Sequence, residues 1–305
     1  MVEVSVRAPA TVSNVVCGFD CLGFALEQPF DEITLRRIPE RIVRIINRDR
    51  FDLPTEPERN VAGRTLLAIL EASRVDFGFE FESTKHIKPG SGIGSSAASA
   101  CGAAIAANQL LDEKYSREAL VEFALEGESL ASGARHADNV APCIYGGFTL
   151  VRSTDPLDVV PLEYPTMFAT VIHPQIEIRT AEARAILPKQ VPLAAAVRNW
   201  ANLGSLVAAL AQGDYALIAR SLKDEIVEPA RARLIPQFEE IRQGSLATGA
   251  IGGGISGSGP AMFMLSENLG TARAIEAAMQ NLFSGSVIEF NTHVSTVNPS
   301  GVIVV

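Results

Sequence analysis

The stretch Pro89–Ala100, PGSGIGSSAASA, constrains the fold more than any other part of the chain. Gly90, Gly92 and Gly94 alternate with Ser91 and Ile93, and from Ser95 onward the chain turns to Ala97, Ala98, Ala100, Ala103 and Ala104. Glycine permits positive φ and close backbone approach, so this spacing predicts a loop that feeds the first turn of a helix. The first N–H groups of a helix lack internal partners and lie at the positive end of its dipole. Loop and helix end together suit an anion, most often a phosphate. A turn followed by a tightly packed helix of small residues fits the same letters, and for a glycine cluster alone it is the simpler account.

The rest of the chain narrows the choice. Its 305 residues predict one large or two moderate domains. The net charge is −9 and Lys and Arg form no run, which argues against nucleic acid or an anionic membrane as the main partner and favours a small molecule. There is no uninterrupted apolar stretch of about 18 residues, and the opening MVEVSVRAPA has neither a basic leader nor a small-residue cleavage site, so a cytoplasmic protein is expected. Cys17, Cys21, Cys101 and Cys143 are scattered, and no second Cys or His pair completes a zinc set, so reduced, largely buried thiols are expected. Of the four histidines only His136 falls in a polar loop.

Apolar alternation predicts strands and turns over the first fifty residues, from VEVSVRA through DEITLRRI and RIVRII. Helices are expected over about 61–74, 95–111, 117–131 with Ser116 as cap, 194–211, 214–223 and 271–283. SGARHADNVAPC, after the third of these, reads as a loop. MFATVIHP and SVIEFNTHV read as strands, and GAIGGGISGSGPAMFML as a glycine-rich turn between strands. Strands and helices that do not strictly alternate favour an α+β class. The proline-rich STDPLDVVPLEYP is the best boundary, dividing the chain into 1–155 and 156–305.

Two common nucleotide fingerprints fail at the glycine stretch. A Walker loop ends in Gly-Lys-Ser/Thr, and here Gly94 is followed by Ser95 and Ser96 with no lysine. The Rossmann GxGxxG spacing is wider than Gly90-Ser91-Gly92-Ile93-Gly94. A third kind of loop fits: PGSGIGSSAAS resembles the phosphate loop of the GHMP kinases, which act on galactose, homoserine, mevalonate and phosphomevalonate among others. The family's proline lies one place earlier, where this chain has Lys88, while the core Gly92 to Ala97 is intact. APATVSNVVCGFDCLGFAL near the N-terminus and GGGISGSGPAMF near the C-terminus resemble the other family landmarks, in the expected order over nearly the whole chain. The N-terminal motif resembles the homoserine kinases, with Ala8-Pro9-Ala10-Thr11, Asn14 and Gly18-Phe19-Asp20 where sugar and mevalonate kinases read Ala-Pro-Gly-Lys. Val15-Val16-Cys17 replaces the usual Leu-Gly-Pro. HADNVAPCIYGG, RTAEARAILP and EPARARLIP match the same branch.

The resemblance implies a two-domain α+β fold, an N-terminal domain like ribosomal protein S5 domain 2 and a ferredoxin-like C-terminal domain, with the active site between them. It implies ATP and Mg2+ as cofactors, L-homoserine as substrate, O-phospho-L-homoserine as product on the way to threonine, and a homodimer as assembly. ATP would sit on Pro89, Gly90, Ser91, Gly92, Ile93, Gly94, Ser95, Ser96 and Ala97. Homoserine carries an ammonium, a carboxylate and a primary hydroxyl. Asp20 with Asn14 suits the ammonium, and Arg184 and Arg231 suit the carboxylate, because a guanidinium grips it with two parallel charge-assisted bonds. Read without the family, Asp20 is equally a helix cap and Arg184 a solvated face.

Glu128 follows Ala124 by four and Val121 by seven, on a largely apolar stripe, whereas Glu122 and Glu126 point elsewhere. A buried carboxylate must be paired or bind a cation, and the family's magnesium-binding glutamate lies at the matching distance before His136-Ala137-Asp138-Asn139. Glu128 with the Ser96 hydroxyl is the expected metal pair. Asn139 stands where sugar and mevalonate kinases have an aspartate taken to be the base. Transfer through a loose transition state asks little of a base, so Asn139, with Arg231, is expected to position the hydroxyl. Asp138 is the rival base and His136 shapes the pocket. A kinase for another small alcohol and a catalytically dead ligand sensor are the alternatives.

Overall fold

A computed structural model describes residues 1–133 and 135–305, with Ala131 and Ser132 as backbone only. The chain begins with two long antiparallel strands, β1 (Glu3–Ser13) and β2 (Leu22–Ile38), followed by β3 (Val43–Asn47), α1 (Val61–Ser73) and β4 (Gly78–Thr84). β3 and β4 pair in parallel across the α1 crossover, and β4 lies antiparallel on β2. α2 (Ser95–Leu110), α3 (Arg117–Ser132) and the short α4 (Val140–Tyr145) follow, then the hairpin of β5 (Phe148–Thr154) and β6 (Leu157–Leu162), which extends the same sheet from the start of β2.

The alanine-rich run is a helix for a packing reason as well. Ala97, Ala98, Ala100, Ala103, Ala104, Ala106 and Ala107 are fully buried, because α2 packs between β1 on one side and α1 and α3 on the other. Only small side chains let three elements approach one helix this closely. The packed-helix reading of the glycine stretch therefore describes α2.

The second layer begins at β7 (Phe168–Pro174). It continues through α5 (Thr180–Ala185), α6 (Leu193–Gln212), α7 (Tyr215–Ser221), α8 (Glu228–Arg231) and α9 (Phe238–Ala247) to β8 (Gly252–Ile255), β9 (Met262–Ser266), α10 (Leu269–Phe283) and β10 (Phe290–Thr296). Its sheet is antiparallel throughout, in the order β10-β7-β9-β8. Ile172, Met262 and Met264 meet Ile241 of α9 and Ile275, Met279 and Phe283 of α10 in a core of their own. The final strand, β11 (Ile303–Val304), returns to the first sheet beside β1. The Phe24 and Phe263 rings, one from each layer, meet edge to face at 5.7 Å.

This is the expected two-domain α+β architecture. The expected division at 155 and 156 falls in the turn of the β5–β6 hairpin, both of whose strands belong to the larger sheet. The stretch read as a loop after α3 holds helix α4 from Val140 onward, and α5, α8 and α9 are helices that the periodicity did not reveal. α4 and α5 have six residues each and α8 four, too short to display an apolar repeat. α9 buries only Phe238, Ile241 and Ser245 of its ten residues. Three of the four thiols are buried and all are free, as expected. Among the described residues no helix is long and apolar enough to cross a membrane.

Candidate active site

The glycine loop leaves β4 and enters α2 at the boundary between the two layers. Gly90, Gly92 and Gly94 have φ of 73°, 83° and 71°. At two of them a side chain has no room. A Cβ on Gly92 would lie 2.7 Å from the Gly259 carbonyl oxygen, and one on Gly94 2.0 Å from Thr11 Oγ1. Gly94 is the N-cap of α2 and has no side chain to cap it, so the first amides of the helix face the cavity with no competing internal oxygen from the cap. The loop is held from both layers. Ser256 Oγ donates to the Gly92 carbonyl at 2.7 Å, Ala261 N to that of Ser91 at 3.3 Å, and Ser95 Oγ to that of Ile87 at 2.8 Å. Ile93 and Ala97 bury their side chains in the core, so only their backbone can serve a ligand.

Beneath the loop lies a buried ion pair. Lys85 Nζ donates to Asp31, to the Ser95 carbonyl at 3.1 Å and to Ser99 Oγ at 2.9 Å, while Asp31 also accepts from the amides of His86 and Ile87 at 2.8 and 2.9 Å. Every hydrogen-bonding position of the ammonium is used, which is what a buried charge requires. This support was not read from the sequence, where Asp31, within β2, and Lys85, just after β4, stand 54 positions apart.

The cavity in front of the loop measures 340 Å³ and is walled by both layers: Ser13, Asn14, Glu128 and Asp138 from the first, Arg184 and Arg231 from the second. Ser116 caps α3 through the Ala119 amide, as expected, and sets the register that turns Glu128 inward. Glu122 and Glu126 face outward and pair with Arg135. Glu128 is buried, and its Oε1 accepts from Ser96 Oγ at 3.0 Å. Burial pushes its carboxyl up to about 7, with Ser96 pulling down and Asp138 adding repulsion. The pair offers two hard oxygens at the start of α2. Among the described residues no cluster of three or more His, Cys, Asp and Glu side chains forms a metal cage.

The opposite wall is charged. Arg184 Nη2 donates to both Asp20 oxygens, at 2.9 and 3.0 Å. Arg231 is buried, with Nη1 on the Gly257 carbonyl at 2.9 Å and Nε on that of Ala183 at 3.2 Å, so its plane is fixed. Both guanidinium groups lie over the Phe19 ring, at 5.4 and 5.1 Å from its centroid. Phe19, within the Gly18-Phe19-Asp20 motif, has no role legible in the sequence; its ring gives both guanidinium groups a cation–π contact. Asn14 is a brace, with Oδ1 accepting from the Asp20 amide at 3.0 Å and Nδ2 donating to the Gly257 carbonyl at 2.7 Å. The brace holds a loop in which Asn14, Val15, Val16 and Asp20 all have positive φ. For β-branched Val15 and Val16 that conformation is unusual, and this is where the chain departs from Leu-Gly-Pro.

His136 Nδ1 lies 3.9 Å from Asp20, and burial pushes its imidazole below the ordinary range, Asp20 opposing and the two arginines adding to the effect. Burial also pushes Asp138 up to about 6; Asp20 adds repulsion, while the Ser13 hydroxyl and a backbone N–H pull it back. Asn139 is clasped on both ends of its amide. Thr11 Oγ1 donates to its Oδ1 at 2.7 Å, and its Nδ2 donates to Ser13 Oγ at 2.9 Å. All the sequence-predicted residues except Ile93 and Ala97 line one cavity; of those it missed, Ser13 and Lys85 line it too, while Thr11 lies behind.

The arrangement can hold a polyphosphate on backbone amides and a zwitterion on side-chain charges within one enclosure. Residues 60–147 match the model of the GHMP kinases N terminal domain, and 206–285 that of the GHMP kinases C terminal. The homoserine kinase of Chloroherpeton thalassium is 44% identical over 297 residues, covering 93% of each chain. The chain belongs to the homoserine kinase branch of the GHMP kinases. The homoserine kinase of Chlorobaculum tepidum is 44% identical over 290 residues, covering 90% of this chain and 89% of its own. The crystal structure of homoserine kinase from Cytophaga hutchinsonii superposes with a TM-score of 0.96 at 49% identity, over 100% of this chain and 98% of that one. The membership accounts for the order of the three glycine-bearing motifs, which meet at one place: motif one supplies Thr11, Ser13 and Asn14, motif two the loop, and motif three the carbonyls and hydroxyl that fasten both.

Proposed function

We infer that the protein transfers the γ-phosphoryl group of ATP to the side-chain hydroxyl of L-homoserine, giving O-phospho-L-homoserine and ADP in threonine biosynthesis. The observation that carries the reading is one cavity with an uncharged glycine cradle on one wall and Asp20, Arg184 and Arg231 on the other. The ammonium of homoserine takes Asp20, and its carboxylate takes Arg184 and Arg231. A mevalonate has no ammonium, which would leave Asp20 without a task. Asn139 orients the hydroxyl toward the phosphate loop, and His136 shapes the wall beside Asp20.

The residues fit a magnesium nucleotide. Mg2+ takes one or two protein oxygens together with phosphate and water, and Glu128 with Ser96 supplies two. When bound, the ion neutralises charge on the phosphates. The amides at the start of α2 face the same oxygens, and alignment supplies most of the remaining rate. A homodimer, a cytoplasmic location and the absence of a nucleic-acid partner belong to the same reading; the net charge of −9 supports the last.

The test is ADP release by the purified protein with Mg-ATP, offering L-homoserine beside mevalonate, galactose, L-serine and no acceptor. Turnover with homoserine alone, lost in Glu128→Gln, is the expected result. Turnover with another alcohol would withdraw the roles of Asp20 and Arg184, and ATP binding without turnover on any acceptor would make the protein a ligand sensor.

A further inference from the structure

Thr11 is fully buried and does not reach the cavity, yet its hydroxyl is committed to a side chain that does. Ser13, two residues along β1 and on the same face of the strand, lines the cavity together with Asn139 and Asp138. We propose that Thr11 and Ser13 are positioning residues for the transfer step: bonded to opposite ends of the Asn139 amide, they fix its plane and its place beside the phosphate loop. The proposal rests on the reading that Asn139 orients the substrate hydroxyl.

Thr11 Oγ1 donates to Asn139 Oδ1 at 2.7 Å and Asn139 Nδ2 donates to Ser13 Oγ at 2.9 Å. Both ends of the amide are thus tied to one strand, β1, which fixes its plane. The three side chains form a hydrogen-bonded chain from Thr11 through Asn139 to Ser13, and a chain of this kind strengthens link by link. Gly94 presses on the same junction, since a Cβ there would also come within 3.1 Å of Asn139 Oδ1. The phosphate loop and the amide that aims the acceptor are thereby referenced to one hydroxyl.

Thr11→Val keeps the shape and removes the donor, and Thr11→Ser keeps the donor. Thr11→Val should lower kcat about tenfold or more, the size of one well-buried hydrogen bond, with the KM for ATP and for homoserine each within about twofold. Thr11→Ser should stay within about twofold of the parent, and adding Thr11→Val to Asn139→Ala should cost less than about twofold more. Ser13→Ala, which opens the other side of the clasp, should repeat the kcat loss and serves if Thr11→Val does not fold. Parental kcat in Thr11→Val beside an impaired Asn139→Ala would overturn the clasp and leave the role of Asn139 standing. Equal losses in the valine and serine variants, or an ATP KM that rises as far as kcat falls, would assign Thr11 to packing against Gly94 instead. An unimpaired Asn139→Ala would remove the underlying reading and the clasp with it.

Discussion

The two walls of the cavity solve opposite problems. The loop wall is made of backbone: three glycines with positive φ, the open start of α2 and loop carbonyls anchored by a hydroxyl and an amide from the other layer. The charged wall is made of side chains that satisfy one another, Arg184 on Asp20 and both arginines on Phe19. A backbone cradle is fixed by folding and needs no counter-charge. A wall of paired charges must exchange its internal partners for those of the ligand, so its selectivity comes from what it gives up as well as from what it gains. Glu128, buried where the walls meet, belongs to the loop side by its contact with Ser96.

Removing that carboxylate is the strongest way to break the contrast. Glu128→Gln keeps the volume and loses the negative oxygen that would hold the cation, and a drop in kcat of about 1,000-fold is expected, within the several kcal/mol such charge stabilisation supplies. Steady-state rates across a magnesium titration check it; a variant rescued fully by excess magnesium would keep the metal contact and shrink the role of Glu128 to affinity. Gly94→Ala should come next. Its methyl would meet Thr11 Oγ1 at 2.0 Å in a left-handed conformation, and a fall of about 100-fold in kcat/KM for ATP is expected from misplacing the loop. Nucleotide affinity at the parental level in a folded Gly94→Ala would show that the loop tolerates a side chain and that the cradle is not a backbone device.

Arg184→Ala tests the other wall. The KM for homoserine should rise by about 10- to 100-fold, the scale of a charge-assisted contact, with the KM for ATP nearly unchanged. Equal effects on both substrates would place Arg184 in the wrong half. The side chain is partly exposed and its bond to Asp20 is partly screened, so a small change in thermal stability is expected beside the large change in KM.

The same contrast governs what could be read from the letters. Backbone sites announce themselves locally, because glycine spacing before a helix is a statement about φ and about N–H groups, and Gly90 to Ser96 could be placed from one short window. The N-cap at Ser116 and the inward register of Glu128 were legible for a similar reason, as they depend only on helical periodicity. Side-chain sites are assembled from distant segments. Arg184 lies 164 positions from Asp20, and on the letters alone AEARA looks like a solvated face; only the family pattern drew it into the site. What stayed hidden was support: Lys85 beneath the loop, Phe19 against both arginines, and Thr11 and Ser13 on the two ends of the Asn139 amide. Nothing in a hydroxyl's local sequence says which amide it will meet 128 positions later. The division of the chain was hard for a topological reason, since the β5–β6 hairpin and the final strand both belong to the first sheet.

The smallest expected effect concerns Asp138, whose carboxyl belongs to the charged wall but is buried like Glu128. Its folded-state value is raised from 3.8 to about 6, so between those limits the folded chain binds the proton more tightly than the unfolded one does. Stability from this group is therefore greatest in acid, falls as pH rises through that window, and stays lowered above it. Asp138→Asn removes the titration, so the variant should match the parent near pH 4 and exceed it by a few degrees in melting temperature near pH 8. A gap of the same size at both ends would mean that burial of the charge is not its cause. Because the fold gains rather than loses, the damage should fall on substrate affinity, with a higher KM for homoserine. Since Asn139 keeps its bonds to Thr11 and Ser13, kcat should change little. An acidic limb in the pH profile of kcat that disappears in Asp138→Asn would instead make Asp138 the base, and Asn139 would then share the hydroxyl with a group that takes its proton.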